Sequence, residues 1–279
     1  MAFQPFFVAG APKSGTTWLG KLLDAHPEIS CKGEACVHYF TKALIQISND
    51  YNALLERRKA TVSDSNAFPP VLESEVHALM RHFIDLRLAV IADPAKPRLR
   101  FVGEKDPIHG PNFPMLQKLF PEARYMHIIR DGRGVLVSAW HHNQRATQGG
   151  QRAPGFDAFL DDMAERWSQM VRISRNAAAK LGEACLEIRY EELSEDPQTG
   201  FKRVLNHLGA DAGEATVRAC VEAASFEKLS KGRAKGQEDA QSFFRKGVAD
   251  DWKNHMTPAQ IQRFNARSGG LLEELGYLG

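Results

Sequence analysis

Residues 10–19 read G-A-P-K-S-G-T-T-W-L, and this stretch decides the fold. Gly10 and Gly15 are separated by four residues and followed by two threonines, which is close to the phosphate loop G-x-x-x-x-G-K-[ST]. An apolar run precedes the loop at 6–9, and helical periodicity follows over 16–25. In a strand, loop and helix of this kind, backbone N–H groups and the helix N-terminus point at an anion. The sequence therefore predicts a phosphate-binding loop.

The loop differs from that of nucleotide triphosphatases in the position of its lysine. Thr16 follows the second glycine, where the triphosphatase pattern has lysine, and Lys13 lies inside the loop. A P-loop kinase needs Mg²⁺ and a lysine beside its hydroxyl residue, so it is an alternative that this loop supports less well. The interior lysine favours a different phosphate-bearing donor.

The composition predicts a globular chain without a strongly charged surface. Of 279 residues, 43% are hydrophobic, and 36 Lys and Arg against 34 Asp and Glu leave a formal charge of +2. That balance indicates neither nucleic acid nor a membrane surface as a partner. The first ten residues lack the basic region of a signal peptide, and no apolar run reaches transmembrane length. We therefore expect a cytoplasmic protein that is not an integral membrane protein.

Strand and helix patterns alternate along the rest of the chain. Strand signals recur at 100–104, 125–129 and 185–189. Each is followed within a few residues by a helix-like segment. This alternation predicts an α/β fold with a P-loop-type central parallel sheet and helices on both faces.

Helical patterns over 37–60 and 71–92 interrupt the alternation. We therefore expect a single domain, 1–279, with a helical insertion over 37–95 that shapes a substrate cleft. A polar loop over 144–156 is expected to contribute to the same cleft.

A second cluster, Arg130 and Ser138, follows the strand at 125–129. Arg130 ends that strand at the sheet edge where ligands bind in open α/β sheets, and Ser138 lies about two turns into the next helix. A guanidinium fork suits a phosphate, and a hydroxyl adds a donor. A surface pair between Arg130 and Asp131 explains the same residues, so this stretch alone leaves both interpretations open.

A third cluster, R-K-G at 245–247, lies in a basic segment over 230–251 that is predicted to be a mobile loop. Two cations there precede a glycine, whose backbone can approach a ligand closely. Charged runs are usually solvated, but Phe243, Phe244 and Trp252 flank this one. The aromatic residues indicate that the loop docks against something.

Together the three clusters resemble the nucleotide-binding signatures of sulfotransferases that use 3′-phosphoadenosine 5′-phosphosulfate (PAPS). The matches span residues 12 to 255. The resemblance implies in-line transfer of a sulfuryl group from PAPS to a hydroxyl or amine of a small-molecule, lipid or carbohydrate acceptor. It also implies 3′-phosphoadenosine 5′-phosphate (PAP) as the product and no metal. A non-catalytic module that binds PAPS or PAP is a further alternative.

The resemblance also implies roles for individual donor-site residues. The 5′-phosphosulfate would be held by Lys13, Ser14, Gly15, Thr16 and Thr17. The adenine would be framed by Trp18, Tyr190 and Phe226. The 3′-phosphate would be held by Arg130, Ser138, Arg245, Lys246 and Gly247. The chain departs from the usual R-K-G-x-x-G-D-W in having Asp250 where a glycine is common.

Two lysines are candidates for stabilising the charge that builds up during transfer. Lys13, inside the loop, is expected beside the oxygen that bridges phosphate and sulfate, where it would stabilise the leaving group without a metal. Lys105, in G-E-K-D-P at a strand end, is a second candidate, for the sulfonate; a surface pair with Glu104 is its alternative.

Two residues compete for the role of general base, which the acceptor hydroxyl needs. Glu34, in C-K-G-E-A-C, resembles the glutamate base of carbohydrate sulfotransferases. His109 lies four residues after Lys105, whereas cytosolic sulfotransferases have their histidine two residues after the lysine. The role of that histidine therefore cannot be assigned to His109 from its position in the sequence. We favour Glu34. No cluster in the sequence has metal-ligand spacing, and no dimerisation motif defines the oligomeric state.

Overall fold

The centre of the molecule is a parallel β-sheet. A computed structural model describes residues 3–59, 68–146, 155–239 and 241–278. Within these ranges the strands are β1 (Gln4–Ala9), β2 (Ile29–Gly33), β3 (Phe101–Lys105), β4 (Arg124–Ile129) and β5 (Cys185–Arg189). Their order across the sheet is β2-β3-β1-β4-β5, and every neighbouring pair is parallel. The predicted α/β fold with a central parallel sheet is confirmed.

Helices cover both faces of this sheet. In chain order, the described α-helices are α1 (Thr16–Asp24), α2 (Val37–Lys59), α3 (Glu73–Ile91), α4 (His109–Leu119), α5 (Gly132–Ala146), α6 (Phe156–Ala179), α7 (Tyr190–Glu195), α8 (Pro197–Leu208), α9 (Glu214–Ala223), α10 (Phe226–Leu229), α11 (Pro258–Arg267) and α12 (Leu271–Glu274). Short 3₁₀ helices occur at Gly182–Ala184 and Ala249–Asn254.

Successive side chains of a strand point to opposite faces, and this alternation builds two cores from one sheet. Phe6 and Val8 of β1 are buried with residues of α1, α8 and α9 on one face. Phe7 and Ala9 are buried with residues of α3 and α4 on the other. Because the sheet is covered on both faces, its central strands read as continuous apolar runs.

The edge strand β2 is absent from the sequence-based prediction. Its segment, I-S-C-K-G, offers only Ile29 and Cys31 as buried apolar residues, and its last two residues are exposed. An edge strand has a neighbour on one side only, so it does not need the long apolar run that marks a central strand. Glu34 consequently follows directly on the end of a strand.

The helical insertion lies between β2 and β3, which are neighbours in the sheet. Its helices α2 and α3 match the predicted segments to within two residues over their described parts. In α3, Val76, Met80, Ile84 and Leu88 are buried at helical spacing against the sheet. The division of the chain into one domain stays a prediction. Most of the loop predicted over 144–156 lies outside the described residues.

The segment predicted as a mobile basic loop is held by hydrogen bonds. Backbone N–H groups of Gly236 and Asp239 donate to the carbonyl oxygens of Lys246 and Arg245, at 2.9 and 3.0 Å. The Arg233 guanidinium donates to the carbonyl oxygens of Arg245, at 2.8 Å, and Phe244. The segment therefore folds back on itself and presents the R-K-G sequence to the rest of the chain.

Candidate active site

A cavity of about 940 Å³ opens at the carboxyl ends of the strands. This is the edge at which open α/β sheets bind ligands, and the volume is at the upper end of ordinary ligand pockets. Of the residues predicted for the site, those that line the cavity are Lys13, Gly15, Thr16, Thr17, Trp18, Glu34, Arg130, Ser138, Tyr190, Phe226, Arg245, Lys246 and Gly247. Ser14, Lys105 and His109 do not line it.

The phosphate loop connects β1 to α1 in a tight turn. Gly15 has a φ of 99°, in the left-handed region that favours glycine. A Cβ atom at Gly15 would lie 2.5 Å from Cδ2 of Tyr190, so α7 packs directly on the loop. Lys13 also has a positive φ, of 73°. The Ser14 side chain is fully buried, and its Oγ has no hydrogen-bond partner among the described residues.

Arg130 links the second cluster to this loop. Its Nη1 donates to the carbonyl oxygen of Lys13 at 3.1 Å, and its guanidinium lies 4.3 Å from the centre of the Tyr190 ring. Tyr190 in turn meets Trp18 edge to face, with 5.8 Å between ring centroids. The Trp18 indole donates to the carbonyl oxygen of Ala224 at 3.0 Å. Arginine and aromatic residues therefore form one wall of the cavity.

The third cluster is anchored by Asp251, which the sequence analysis does not single out. Asp251 is 2% exposed and accepts hydrogen bonds from Arg245 and, at 2.5 Å, from Lys246. Burial raises the pKa of Asp251, but these two cations outweigh burial and hold it well below its usual range. Gly247, with a φ of 72°, contacts Phe226: a Cβ atom there would lie 2.5 Å from the Phe226 ring. One aspartate thus positions both cations.

Glu34 and Lys105 form the best-defined polar pair beside the cavity. Lys105 Nζ donates to Glu34 Oε1 at 2.5 Å and to Thr17 Oγ1 at 3.1 Å. Lys105 is 8% exposed, whereas the Glu34 side chain is 49% exposed and lines the cavity. The lysine therefore lies behind the glutamate and joins it to the first turn of α1. The surface pair between Glu104 and Lys105 considered above does not form, because both residues are buried.

His109, the second candidate for the base, is enclosed by protein. It is fully buried at the start of α4, with its Nε2 3.4 Å from Glu104 Oε2 and its ring edge-on to Phe7. The backbone N–H of Ala35, next to Glu34, donates to the other Glu104 oxygen. His109 therefore supports the segment that carries Glu34 but does not reach the cavity.

Sequence reasoning assigned no role to His38 or Asp106, which both line the cavity. His38 Nδ1 lies 3.8 Å from Asp106 Oδ2, and both atoms are buried without a hydrogen-bond partner among the described residues. The His38 ring also contacts that of Tyr39, at 4.2 Å between centroids. The signal available in the sequence was the position of Asp106 directly after Lys105 at a strand end. Its partner lies 68 positions earlier, on α2, which only the fold reveals.

Within the part of the chain that the structure describes, two groups of residues have potential metal-ligand atoms close together, although the sequence spacing indicates none. They are Glu104, Asp106 and His109, and His141, Glu238 and His255. In the first group, Glu104 lies beside His109 and Asp106 beside His38. In the second, Glu238 is paired with Arg245 at 2.6 Å. Each carboxylate therefore has a nitrogen-bearing neighbour from the chain itself.

The loop lysine lies among other cations. Burial, followed by the charges of Arg145, Arg130 and Lys105, lowers the pKa of Lys13 to about 8. Its Nζ lies 4.6 Å from the centre of the Phe243 ring, an aromatic face that accommodates a cation. A cluster of positive charge beside backbone N–H groups is suited to binding an anion with several negative charges.

Comparison with known proteins identifies the family. The model of the sulfotransferase family matches residues 5–214, which includes the phosphate loop, Glu34, Lys105 and Arg130. The chain belongs to the sulfotransferase family. The resemblance seen in the sequence is thereby confirmed at family level.

Individual sulfotransferases match over different shares of their length. Protein-tyrosine sulfotransferase 2 of Gallus gallus is 28% identical over 205 residues, 73% of this chain and 50% of that protein. Protein-tyrosine sulfotransferase A of Caenorhabditis elegans is 30% identical over 74% of this chain and 50% of that protein. The chain thus spans about half the length of these relatives. Cytosolic sulfotransferase 14 of Arabidopsis thaliana is 26% identical over 93% of this chain and 72% of that protein.

Solved sulfotransferase structures share the fold. A mouse sulfotransferase complexed with PAP has a TM-score of 0.60 and 20% identity, and the match covers 95% of this chain and 82% of that one. The sulfotransferase domain of the Synechococcus olefin synthase has a TM-score of 0.52 and 19% identity, with 95% and 94% covered. Among the described residues, no helix combines the length and apolarity needed to cross a bilayer.

Proposed function

We propose that this sulfotransferase transfers the sulfuryl group of PAPS to an acceptor hydroxyl. The observation that carries the proposal is the convergence of three sequence clusters, separated by more than 100 residues, on one cavity. The loop around Lys13, the pair Arg130 and Ser138, and the R-K-G loop all line it. PAPS carries a 5′-phosphosulfate and a 3′-phosphate on adenosine, so it needs cations at two separate places, and these clusters supply them.

The aromatic wall suits the adenine of this donor. Trp18, Tyr190 and Phe226 line the cavity on the side of the phosphate loop and the R-K-G loop. Gly15 and Gly247 contact two of these rings closely, which fixes the rings relative to the backbone that would hold the phosphates. We therefore assign the adenine to this wall and PAP to the same site as product.

Glu34 is the general base in this proposal. It removes the proton from the acceptor hydroxyl as the acceptor oxygen forms a bond to sulfur. The bond from sulfur to the 5′-phosphate oxygen breaks at the same time, and the electron pair leaves with PAP. Lys13 stabilises the negative charge on that oxygen, while Lys105 holds Glu34 and Thr17 in place. His109 keeps a supporting role behind Glu104.

The acceptor is proposed to enter beside Glu34, where His38, Tyr39 and Asp106 also line the cavity. The relatives named protein-tyrosine sulfotransferases make a phenolic hydroxyl on a peptide one candidate. Small phenols, sterols, lipids and sugars are the others. The cytoplasmic location and the single domain stay predictions beside this proposal, as does the absence of a metal requirement.

Transfer of ³⁵S from labelled PAPS tests the proposed function. The protein is incubated with labelled donor and a panel of tyrosine peptides, phenols, sterols, lipids and sugars, with and without EDTA. We expect label on at least one acceptor, matched by release of PAP, and unchanged rates in EDTA. Phosphoryl transfer from ATP that EDTA abolishes would instead establish a P-loop kinase. Tight PAP binding without transfer to any acceptor would establish the binding module.

A further inference from the structure

Two consecutive residues at the end of β3 each face a proton-accepting side chain of the cavity. Lys105, the last residue of β3, donates to Glu34 Oε1 at 2.5 Å. Asp106, the next residue, has its Oδ2 atom 3.8 Å from Nδ1 of His38. Consecutive Cα atoms are only about 3.8 Å apart, so a carboxylate and an imidazole are held at the same corner of the site. Both Glu34 and His38 line the cavity.

Hydrogen bonds fix the position of Asp106. Its backbone N–H donates to the carbonyl oxygen of Val8 at 3.0 Å, and its carbonyl oxygen accepts from the backbone N–H of His109 at 3.1 Å. Its Oδ1 atom accepts from the backbone N–H of Ile108 at 3.2 Å. The side chain is buried, so Oδ2 is the oxygen that faces His38.

The facing atoms of His38 and Asp106 lack any other partner in the described part of the chain. Nδ1 and Oδ2 are both buried, and neither makes a hydrogen bond there. A buried polar group without a partner costs free energy, so two of them facing each other call for a reason. Their separation exceeds a hydrogen bond by about 1 Å or less, and a small rotation of the imidazole would join them.

The carboxylate of Asp106 determines which nitrogen of a neutral His38 carries the proton. A lone pair on Nδ1 would be repelled by the carboxylate oxygen that it faces, whereas an N–H group is attracted to it. Nδ1 therefore carries the proton, and Nε2 keeps its lone pair. Because Nδ1 is buried while the side chain lines the cavity, Nε2 is the nitrogen available to a ligand.

We propose that Nε2 of His38 accepts a hydrogen bond from a second hydroxyl of the acceptor, adjacent to the hydroxyl that Glu34 deprotonates. The preferred acceptor is then a vicinal diol, and Asp106 is the positioning residue that keeps His38 in its accepting form. This inference rests on the proposed function and names the acceptor class for it. Tyr39, whose ring centroid lies 4.2 Å from that of His38, adds an exposed aromatic face beside the pair.

Binding of matched alcohols to the complex of the protein with PAP tests the proposal without turnover. Catechol is compared with phenol, and a vicinal cyclohexanediol with cyclohexanol, by ligand-observed NMR titration at saturating PAP. We expect the diol of at least one pair to bind about tenfold more tightly than its partner, as one net hydrogen bond provides. The pair that shows the difference identifies the diol as aromatic, as in a catechol, or aliphatic, as in a sugar.

Two variants and a control separate recognition from folding. In Asp106→Asn the amide oxygen keeps the hydrogen bond from Ile108, so the amide N–H faces Nδ1 and the proton moves to Nε2. This variant and His38→Phe should both lose the preference for the diol. His77→Phe is the matched control: His77 lies 3.6 Å from Glu73 on α3 and does not line the cavity, so the preference should persist. Unchanged PAP affinity verifies that each variant is folded.

Three outcomes would overturn the proposal. One is equal binding, or no binding, of diol and single alcohol in both pairs by the wild-type complex. Another is a diol preference that persists in His38→Phe and Asp106→Asn. The third is a wild type that does not bind PAP, which removes the proposed function as well. Selective binding of diols without sulfuryl transfer from PAPS to any acceptor would instead contradict the proposed function and keep the diol site.

Discussion

Lys105 Nζ lies 2.5 Å from Glu34 Oε1, so a buried lysine holds a carboxylate that faces the cavity. The same ammonium donates to Thr17 at the start of α1. The proposed acceptor and donor sides of the site are therefore joined through one side chain. A base at this position would act next to the group that the phosphate loop binds.

If Glu34 is the general base, its substitution should reduce turnover more than substitution of His109. Glu34→Gln keeps the size of the side chain but removes the proton acceptor, so we expect turnover to fall about 100- to 10,000-fold. His109→Asn should lose much less turnover, because His109 does not line the cavity. Steady-state turnover with saturating PAPS and any identified acceptor measures both. The reverse ranking would make His109 the base, and unchanged PAP affinity in Glu34→Gln verifies that the donor site is intact.

The proposed role of Lys13 predicts a loss of transfer when it is replaced, and its lowered pKa predicts that donor binding depends on pH. Lys13→Ala should lose nearly all transfer, and near-normal turnover in that variant would contradict the leaving-group role. The pKa of Lys13 is lowered to about 8. A bound anion favours the charged amine, so affinity for PAP should be full below pH 8 and fall as the pH rises through it. Calorimetric titrations of PAP at several pH values measure this, and in Lys13→Met the fall around pH 8 should vanish.

Two glycines with similar φ angles give a matched test of the R-K-G loop. Gly247 has a φ of 72° and would place a Cβ atom 2.5 Å from the Phe226 ring, whereas Gly209 has a φ of 77° and nothing within 4 Å. Gly209→Ala should cost only about 1 kcal/mol of stability. Gly247→Ala should in addition weaken PAP binding by about tenfold or more, since Phe226 or the loop must shift. Equal PAP affinity in the two variants would contradict the proposed contact.

The lowered pKa of Asp251 predicts how the stability of the protein depends on pH. Its pKa is lowered in the folded protein, because Lys246 and Arg245 outweigh the effect of burial. The stabilisation is therefore present above the ordinary aspartate pKa of about 4 and is lost as the pH falls below it. Asp251→Asn should lower the melting temperature at pH 7, and the difference from wild type should shrink in acid. A difference that stays constant down to pH 3 would contradict this assignment.

Much of the fold could be predicted because its central strands are buried on both faces. Such strands read as apolar runs, and β3 and β4 lie within a residue of where the sequence indicates them, as does the edge strand β5. The edge strand β2 was not predicted, because Ile29 and Cys31 are its only buried apolar residues. Neither the alternation of apolar and polar residues nor the composition distinguishes these five residues from a loop.

The site was predictable where chemistry requires a local motif, and not where it depends on packing. The phosphate loop and the R-K-G sequence can each be recognised locally, because the glycine that sets the backbone conformation and the cations that bind an anion lie within a few consecutive residues. Asp251, in contrast, resembles any surface aspartate until the fold buries it under Arg245 and Lys246. His38 and Asp106 meet only because α2 follows the edge strand β2 and β2 pairs with β3.

The most direct test of the account compares two nucleotides that differ only in the 3′-phosphate. Calorimetric titration with PAP and with adenosine 5′-phosphate asks whether the three clusters form one donor site, and it needs no acceptor. We predict that PAP binds at least about 100-fold more tightly, and that Arg245→Ala removes most of this difference. Equal affinity of the wild type for the two nucleotides would contradict the account.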